Sequence, residues 1–311
     1  MTRLATIDLG TNTVHLLVAE VTPRARGWRT VLATQRVTRL GEGVSATGAL
    51  GDLPAARTAA VVVDYVARAR AAGAARVAIV ATSAVRDASN GRAFAADLER
   101  ATGVAVRVIS GEEEARLTLA GIVAGLGPLR GVAIAFDIGG GSTEYILTRD
   151  GALVTAASLR LGVVPLAERF AFPGPVEPVR YATLRAEVDA QLARELPAAI
   201  ATARVDVLVG TAGTVTTLAA LDLGLADYDP ARVQGHTLTR EAIARQHRRL
   251  AALDLAGRAR VPCLEPGRAD LIVPGVAIVE ATLARLHCER LVVSDFSLRE
   301  GILAELAARE V

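Results

Sequence analysis

Two glycine-rich segments, each beginning with an acidic residue, are the parts of the sequence best suited to binding a phosphate chain. Asp8–Thr13 reads Asp-Leu-Gly-Thr-Asn-Thr, and Asp137–Ser142 reads Asp-Ile-Gly-Gly-Gly-Ser. Glycine lets the backbone approach a ligand closely, and consecutive N–H groups can bond phosphate oxygens. One such segment alone would indicate an ordinary tight turn, but the pair favours phosphate binding. The predicted phosphate-binding residues are Gly10, Thr11, Asn12, Thr13, Gly139, Gly140, Gly141, Ser142 and Thr143.

Three acidic residues near these segments offer hard oxygen ligands of the kind that Mg²⁺ prefers. They are Asp8, Asp137 and Glu144. Asp137 and Glu144 stand on the two arms of one predicted hairpin, so both can reach the same Mg²⁺ ion. The alternative for Glu144 is a solvated strand residue, at the position that His15 takes after the first segment.

Three consecutive carboxylates, Glu112, Glu113 and Glu114, stand at the predicted start of a helix. Part of this pattern is structural, because Ser110 and Glu113 have the spacing of a capping box and acids favour the N-terminal end of a helix. One carboxylate held rigidly could orient and deprotonate an attacking water molecule. With Glu113 assigned to the cap, the pattern leaves Glu112 or Glu114 for this role.

Two strand-to-helix turns complete the candidate chemistry. In the turn over 81–88, Arg86 could share charge with a transferring phosphoryl group. The alternative is a surface pair of Arg86 with Asp87, which would contribute little. The matching turn over 210–214 offers helix N–H groups to an anion. Its predicted phosphate-binding residues are Gly210, Thr211 and Gly213.

The elements that must position these residues form an internal repeat. Asp8 matches Asp137, and Val80 matches Val209, and both pairs are 129 positions apart. Two matches at one spacing indicate a duplicated domain. Each glycine-rich segment is predicted to be the turn of a β-hairpin, and strands that alternate with helices predict a mostly parallel sheet in each half. The glycine-rich stretch 125–131 is the predicted boundary, which gives domains over 1–125 and 126–297.

Apolar residues that recur every three or four positions predict the helices of both halves. A weaker match of Val108 with Val292 implies about 55 extra residues before the last strand of the second half. The predicted helices cover 54–72, 112–125, 179–203, 239–253, 276–287 and 298–309.

Composition excludes several classes of function. All 35 basic residues of the 311 are arginine, which excludes a lysine Schiff base and a P-loop ending in lysine. The net charge of +2 argues against a dedicated nucleic-acid binder. The two cysteines and four histidines show no metal-ligand spacing. No apolar run approaches the roughly 20 residues of a membrane span, and no signal-peptide core is present, so we expect a cytoplasmic protein.

Taken together and in this order, the segments resemble the blocks of the exopolyphosphatase / guanosine-pentaphosphate phosphohydrolase family. The match continues through Arg268-Ala269-Asp270 and Leu298-Arg299-Glu300-Gly301. The resemblance implies an α/β fold in which two ribonuclease H-like halves, as in actin and sugar kinases, flank a cleft. It also implies that the last helix, 298–311, packs back on the first domain.

The resemblance further implies Mg²⁺-dependent hydrolysis of a terminal phosphoanhydride, with Glu114 as the catalytic base and Arg86 contacting phosphate. Asp137 and Glu144 become the metal-associated carboxylates. The implied substrates are inorganic polyphosphate or guanosine pentaphosphate. Two alternatives are an acceptor phosphotransferase of the same fold and a non-catalytic sensor of alarmone or polyphosphate. The Ala-rich helices of the second half suit a homodimer interface or a core equally well.

The sequence departs from the family pattern in three places. Thr13 stands where serine is usual and keeps the hydroxyl. Asp295-Phe296-Ser297 precedes Leu298 where a glycine is common. The C-terminal His-Asp phosphohydrolase-like domain of long members is absent from this sequence, which leaves chain-length preference open.

Overall fold

The chain forms two compact units, which a computed structural model describes for residues 2–22 and 27–309. The first unit comprises Met1–Ala124 together with Phe296–Val311, and the second comprises Gly125–Asp295. The first unit is therefore built from both ends of the sequence. Residues 310 and 311 of the predicted last helix lie outside the described residues.

The strands of the described residues divide between one sheet in each unit. The first sheet contains β1 (Thr2–Leu9), β2 (Thr13–Val21), β3 (Trp28–Val37), β4 (Arg76–Ala81) and β5 (Val106–Val108). The second contains β6 (Val132–Ile138), β7 (Thr143–Arg149), β8 (Ala152–Leu159), β9 (Val207–Thr211), β10 (Thr237–Thr239) and β11 (Arg290–Ser294).

The helices of the described residues range from a single turn to five turns. In the first half of the chain they are α1 (Val44–Thr47), α2 (Asp52–Ala71), α3 (Ser83–Asp87), α4 (Gly91–Thr102) and α5 (Gly111–Leu126). In the second half they are α6 (Val163–Arg169), α7 (Pro178–Glu195), α8 (Ala198–Ala201), α9 (Ala212–Asp222), α10 (Pro230–Val233), α11 (Arg240–Ala251), α12 (Leu255–Arg258), α13 (Ile272–Arg285) and α14 (Leu298–Ala308). A 3₁₀ turn over Pro266–Arg268 precedes α13.

The two sheets have the same strand order, which confirms the predicted duplication. The first sheet runs β3-β2-β1-β4-β5, and the second runs β8-β7-β6-β9-β11, followed by β10 at its edge. In both, the first three strands are antiparallel neighbours and the next two pair in parallel. The prediction of mostly parallel sheets was wrong, because each hairpin continues into a third antiparallel strand that the sequence pattern did not reveal.

The predicted helices are present, one of them in two pieces, and several further helices were not predicted. The periodic stretch 179–203 is not one helix but α7 and α8, which are interrupted at Pro197, the residue before α8. Proline lacks an N–H donor and disfavours a helical conformation in the residue before it. The amphipathic helix α4 was not predicted. Between β9 and β11 lie five helices and β10, where the first unit has only α3 and α4, and this accounts for the predicted extra residues.

Each sheet of the molecule is buried by helices of its own unit. In the first unit, Ile7, Leu16 and Val62 belong to a core that α2 and α4 cover on one face of the sheet. On the other face, helix α14 packs Leu303 against Leu4 and Leu17 of the sheet. In the second unit, buried side chains of the sheet and of α7, α9, α11 and α13 form one continuous core. Among the described residues, no helix has both the length and the apolar content needed to cross a membrane.

Helices α5 and α14 cross with their backbones in direct contact. A β-carbon on Gly301 would lie 1.8 Å from the Leu117 carbonyl oxygen, and one on Gly121 would lie 1.9 Å from the Ser297 carbonyl oxygen. Real side-chain carbons do not approach backbone atoms this closely, so both positions require glycine. The crossing lies two turns beyond the start of α5 and holds that helix against the C-terminal one.

The turn into α14 is held by contacts of the side chains that surround it. Ser297 and Glu300 form a complete capping box, with the Ser297 N–H donating to Glu300 Oε2 at 2.9 Å. The Phe296 ring stacks on Trp28 of β3, with centroids 5.7 Å apart. The turn is therefore fixed by side-chain contacts.

We predict that Gly301→Ala destabilises the protein, because the added methyl group must push α5 and α14 apart. Overpacking of this kind costs about 1–3 kcal/mol. The free energy of unfolding, measured by urea denaturation, checks it. Gly174→Ala is the matched control, since a β-carbon at Gly174 would meet no atom within 4 Å. Equal stability of the two variants would contradict the close crossing.

Candidate active site

In the first unit, the structure brings together the predicted base and the predicted phosphate-contacting arginine. Arg86, on the short helix α3, donates from Nη1 to Glu114 Oε2 at 2.8 Å and to the Ile109 carbonyl oxygen at 3.2 Å. Its Nε lies 3.5 Å from Asp87 Oδ1. The surface pair with Asp87 is thus present, but Arg86 is also tied to the first turn of α5 and to the residue after β5.

Glu114 is a buried carboxyl group, with a relative exposure of 8 %. Burial raises the pKa of the Glu114 carboxyl above its ordinary value, and the hydrogen bond and charge of Arg86 oppose part of that rise. A carboxyl group whose pKa is raised toward the working pH is a better proton acceptor than an ordinary exposed one.

The three carboxylates at the start of α5 have three different surroundings. Ser110 caps the helix, because its hydroxyl accepts the Glu113 N–H at 3.1 Å. The Glu113 carboxylate lies 3.5 Å from Arg107, so only its backbone takes part in the observed cap. Glu112 is exposed, whereas Glu114 is buried. Of the two residues that the pattern left open, Glu114 is the buried one, and it is hydrogen-bonded to Arg86.

Each of the two glycine-rich turns has the same internal backbone hydrogen bond, at equivalent positions of the repeat. Gly10 N–H donates to the Thr13 carbonyl oxygen at 3.1 Å, and Gly139 N–H donates to the Ser142 carbonyl oxygen at 2.9 Å. In both, a β-carbon on the glycine would lie 3.0 Å from that oxygen. The repeat therefore extends to the geometry of the turn, and both turns join antiparallel strands as predicted.

The carbonyl groups of the two turns are bound by different segments. In the first turn, the Asn12 carbonyl oxygen accepts from the N–H groups of Thr38 and Arg39, both at 2.9 Å. In the second, Val163 and Val164 at the start of α6 donate to the carbonyl oxygens of Gly139 and Gly140. These contacts turn the carbonyl oxygens of each turn toward protein donors and fix the backbone.

The acidic residues of the second turn face one another across the hairpin. Asp137 of β6 pairs in register with Glu144 of β7, and both side chains are buried. Glu144 Oε1 accepts from the hydroxyl groups of Ser142 at 2.8 Å and Ser158 at 2.7 Å. Glu144 is therefore not the solvated strand residue of the alternative interpretation.

The equivalent pair in the first turn has a different donor chemistry. Asp8 of β1 pairs in register with His15 of β2. A Mg²⁺ ion takes oxygen ligands, and one or two carboxylates plus substrate oxygens and water suffice for it. The second turn offers two carboxylates at one place and fits such an ion, whereas the first offers one. Among the described residues, no cluster of three or more histidine, cysteine, aspartate or glutamate side chains is arranged to hold a metal.

The turn after β9 is contacted by Arg268, which the sequence analysis did not assign to the site. Ala212 adopts a left-handed conformation with φ 68°, and a β-carbon on Gly213 would lie 1.9 Å from Arg268 Nη1. Burial lowers the pKa of the Arg268 guanidinium, and the nearby Glu265 carboxylate, 3.5 Å from Nε, opposes this. The guanidinium thus packs on the backbone of a turn predicted to bind phosphate. Arg268-Ala269-Asp270 belongs to the blocks of the family resemblance, but its local sequence does not indicate a contact with Gly213.

Two of the predicted phosphate-binding residues make packing or hydrogen-bond contacts with other parts of the protein. Gly210 lies within β9, where a β-carbon would be 2.9 Å from the Phe136 ring. The Thr143 hydroxyl, within β7, donates to the Leu161 carbonyl oxygen. Phosphate binding by these two residues stays a prediction without a supporting contact.

Comparison with known proteins decides the family. The model of the Ppx/GppA phosphatase family matches residues 17–310. The chain belongs to the Ppx/GppA phosphatase family. As a member of it, the chain is a hydrolase that acts on phosphoanhydrides.

The similarity to individual relatives extends over nearly the whole chain. Exopolyphosphatase 2 of Mycobacterium tuberculosis is 36% identical, with 99% of each protein covered. The crystal structure of the Ppx/GppA family member from Aquifex aeolicus is 32% identical with a TM-score of 0.83, covering 99% of this chain and 98% of that one. An exopolyphosphatase structure from Cytophaga hutchinsonii is 25% identical with a TM-score of 0.91 over the same shares. The predicted fold class, two duplicated actin-like α/β halves, is confirmed.

We predict that Glu114→Gln changes the pH dependence of stability. Because the Glu114 carboxyl of the native state has a raised pKa, it keeps its proton at pH values where the unfolded chain, near pKa 4.5, has lost it. The native state then binds more protons, and this contribution to stability is lost as pH rises through the window from 4.5 to the raised value. The variant has no such loss.

Urea denaturation at a series of pH values measures this effect. The free energy of unfolding of Glu114→Gln, relative to the unmodified protein, should rise with pH through that window and stay constant on either side. Glu112→Gln, which removes an exposed carboxylate from the same helix start, is the control. A difference that falls with rising pH would show that the Arg86 interaction outweighs burial.

Proposed function

We propose that this protein releases orthophosphate from the end of inorganic polyphosphate by direct attack of water on the terminal phosphoryl group. The observation that carries the proposal is the buried Glu114, with its raised pKa, hydrogen-bonded to Arg86 in a member of this phosphatase family. The name of the M. tuberculosis relative, an exopolyphosphatase, supports polyphosphate as the substrate. The 5′-phosphate of guanosine pentaphosphate presents the same terminal group, and we propose it as a second substrate.

In this reaction Glu114 acts as the general base. Its carboxylate orients a water molecule and accepts one proton as the water oxygen forms a bond to the terminal phosphorus. The bridging P–O bond breaks, and the shortened chain leaves with the electron pair. Burial both raises the pKa of Glu114 and holds the side chain in one place, so the water is positioned as well as deprotonated.

Arg86 has two roles in the proposed mechanism. It holds Glu114 through Nη1, and the positive charge of its guanidinium can stabilise negative charge that develops on the phosphoryl oxygens. Its anchors, the Ile109 carbonyl oxygen and Asp87, keep the guanidinium from moving when substrate leaves. A positioned cation of this kind acts mainly by electrostatics, which is what phosphoryl transfer requires.

The glycine-rich turns and the turn after β9 are the proposed binding groups for the phosphate chain. The first two supply N–H groups, with that of Ser142 among them, and the short side chains of Thr11, Asn12 and Thr13. We add Arg268 to this set, because its buried guanidinium lies on Gly213. Arginine suits this role, since its planar fork of donors matches phosphate oxygens.

The carboxylates of Asp137 and Glu144 would hold Mg²⁺. Asp8 is a weaker candidate for a Mg²⁺ ligand, because its cross-strand neighbour is His15 and not a second carboxylate. When bound, Mg²⁺ supplies positive charge that neutralises non-bridging phosphate oxygens. The hydroxyl groups of Ser142 and Ser158 orient Glu144 for such a role. Hydrogen bonds of this type to a ligating carboxylate hold it in a single orientation.

We predict that Glu114→Gln loses about 10²–10⁴ in turnover, the usual contribution of a general base. Orthophosphate release from short polyphosphate, long polyphosphate and guanosine pentaphosphate, compared side by side without any acceptor, measures it. Glu112→Gln should keep turnover near that of the unmodified protein. Release of phosphate by Glu114→Gln at the full rate would remove Glu114 from the mechanism. Transfer only to an added acceptor would indicate a kinase, and binding without release a sensor.

We predict that Asp137→Asn raises the Mg²⁺ concentration needed for half-maximal phosphate release. The expected change is about tenfold or more, since even groups that only support metal ligands have effects of this size. Asp189→Asn, which removes a half-exposed carboxylate on α7, is the control and should leave the Mg²⁺ dependence unchanged. An unchanged Mg²⁺ dependence in Asp137→Asn would show that the cation is held elsewhere.

A further inference from the structure

A concave site that is separate from Glu114 and Arg86 lies in the first unit, between the edge of its sheet and the C-terminal helix. The cavity has a volume of about 190 Å³ and is lined by residues of β4, β5, the loop before β5, and α14. Neither Glu114 nor Arg86 lines it. Its floor is apolar, because Val80, Ile302 and Leu306 are buried core residues and Ala78 packs against them.

The rim of this cavity carries an excess of positive charge. Arg76, Arg107 and Arg309 line it, and Glu305 is the one acidic residue among the lining groups. Glu305 accepts from Arg107 at 2.6 Å, from Arg309 at 3.0 Å and, outside the cavity, from Arg116 at 2.8 Å. These arginines hold the pKa of the Glu305 carboxyl below its ordinary value although burial acts to raise it. The single carboxylate of Glu305 therefore holds three guanidinium groups together, and its one negative charge does not cancel their positive charges.

We propose that this cavity binds a small phosphate monoester. The guanidinium groups of the rim match the oxygens of a phosphate group, which arginine can bind through two parallel N–H donors. The apolar floor matches a small apolar group attached to that phosphate. The cavity has room for about six water molecules at 30 Å³ each, so it suits a compact ligand and not a phosphate chain.

The cavity is connected to the proposed active site through Arg107. Arg107 Nη1 contacts Glu305 at 2.6 Å and lies 3.5 Å from the carboxylate of Glu113, the residue next to Glu114. Arg107 also stands two residues before Ile109, whose carbonyl oxygen anchors Arg86. A phosphate group that draws Arg107 into the cavity weakens its contact with Glu113 in the first turn of α5. The ligand would thereby act on turnover through the placement of Glu114.

This coupling to turnover rests on the function proposed above, but binding to the cavity does not. Binding is therefore measured separately, by isothermal titration calorimetry with phenyl phosphate, orthophosphate and phenol. Phenyl phosphate engages rim and floor together, so it should bind about tenfold or more tightly than either fragment. A factor of ten corresponds to about 1.4 kcal/mol. Failure of phosphate release from polyphosphate would leave this measurement unaffected.

Two variants locate the binding. Arg309→Gln removes an exposed rim charge, and Ala105→Tyr places an uncharged ring at the cavity wall. Both variants should weaken the binding of phenyl phosphate by about tenfold or more, whereas Arg86→Gln should leave this binding unchanged. Arg100→Gln, an exposed arginine paired with Asp97 outside the cavity, is the charge-matched control. Loss of binding in Arg86→Gln alone would place the ligand at the catalytic arginine and overturn the proposal.

The effect on catalysis is then read from orthophosphate release. Phenyl phosphate should change kcat of the unmodified protein, and Ala105→Tyr should release phosphate normally but no longer respond. An identical response in Ala105→Tyr, or purely competitive inhibition in both proteins, would overturn the coupling. Orthophosphate that binds as tightly as phenyl phosphate, or no binding by either, would overturn the ligand class.

Discussion

The first unit of this molecule depends on keeping one carboxylate buried and still hydrogen-bonded. An isolated charge in the interior is very unfavourable, and a buried carboxyl group is stable only with a good partner. Arg86 supplies that partner, and it is itself held by the Ile109 carbonyl oxygen and by Asp87. Helix α3 is thereby fixed to the end of β5 and the start of α5, through contacts of Arg86 with residues 23 and 28 positions later in the chain. The balance of burial against this ion pair sets the proton affinity of Glu114.

The proposed general base also needs a rigid support, and α14 packs closely against α5, the helix that carries it. The backbone contact at Gly121 and Gly301 leaves no room for either helix to shift. The Thr6 hydroxyl donates to the Arg299 carbonyl oxygen at 3.2 Å, which ties the start of α14 to β1. The capping box at Ser297 and the stacking of Phe296 on Trp28 fix the same turn from outside. The C-terminal segment therefore supports the first unit directly, because its helix α14 packs against α5, the helix that carries Glu114.

The sequence revealed features that depend on neighbours in the chain and concealed those that depend on distant ones. The hairpin turns at Gly10 and Gly139 and the Ser110 cap follow from local rules, and the structure has them. The length of α7 was overestimated, because the hydrophobic periodicity continues across Pro197 whereas the helical conformation of the backbone is interrupted there. Strands β3 and β8 were missed, because their exposed residues give a weak apolar pattern. Arg268 and Gly213 are 55 positions apart, so no local pattern indicates that they touch.

Duplication of the turn geometry does not duplicate its chemistry. At equivalent register positions the first hairpin places His15 opposite Asp8, and the second places Glu144 opposite Asp137. A neutral imidazole offers nitrogen where Mg²⁺ prefers oxygen, so the exchange of one residue confines a two-carboxylate site to the second unit. The first unit in turn has Arg86 paired with Glu114, and the repeat position of Arg86 is taken by Val215 in the second unit. The repeat thus has the proposed proton acceptor in one unit and the proposed Mg²⁺ ligands in the other.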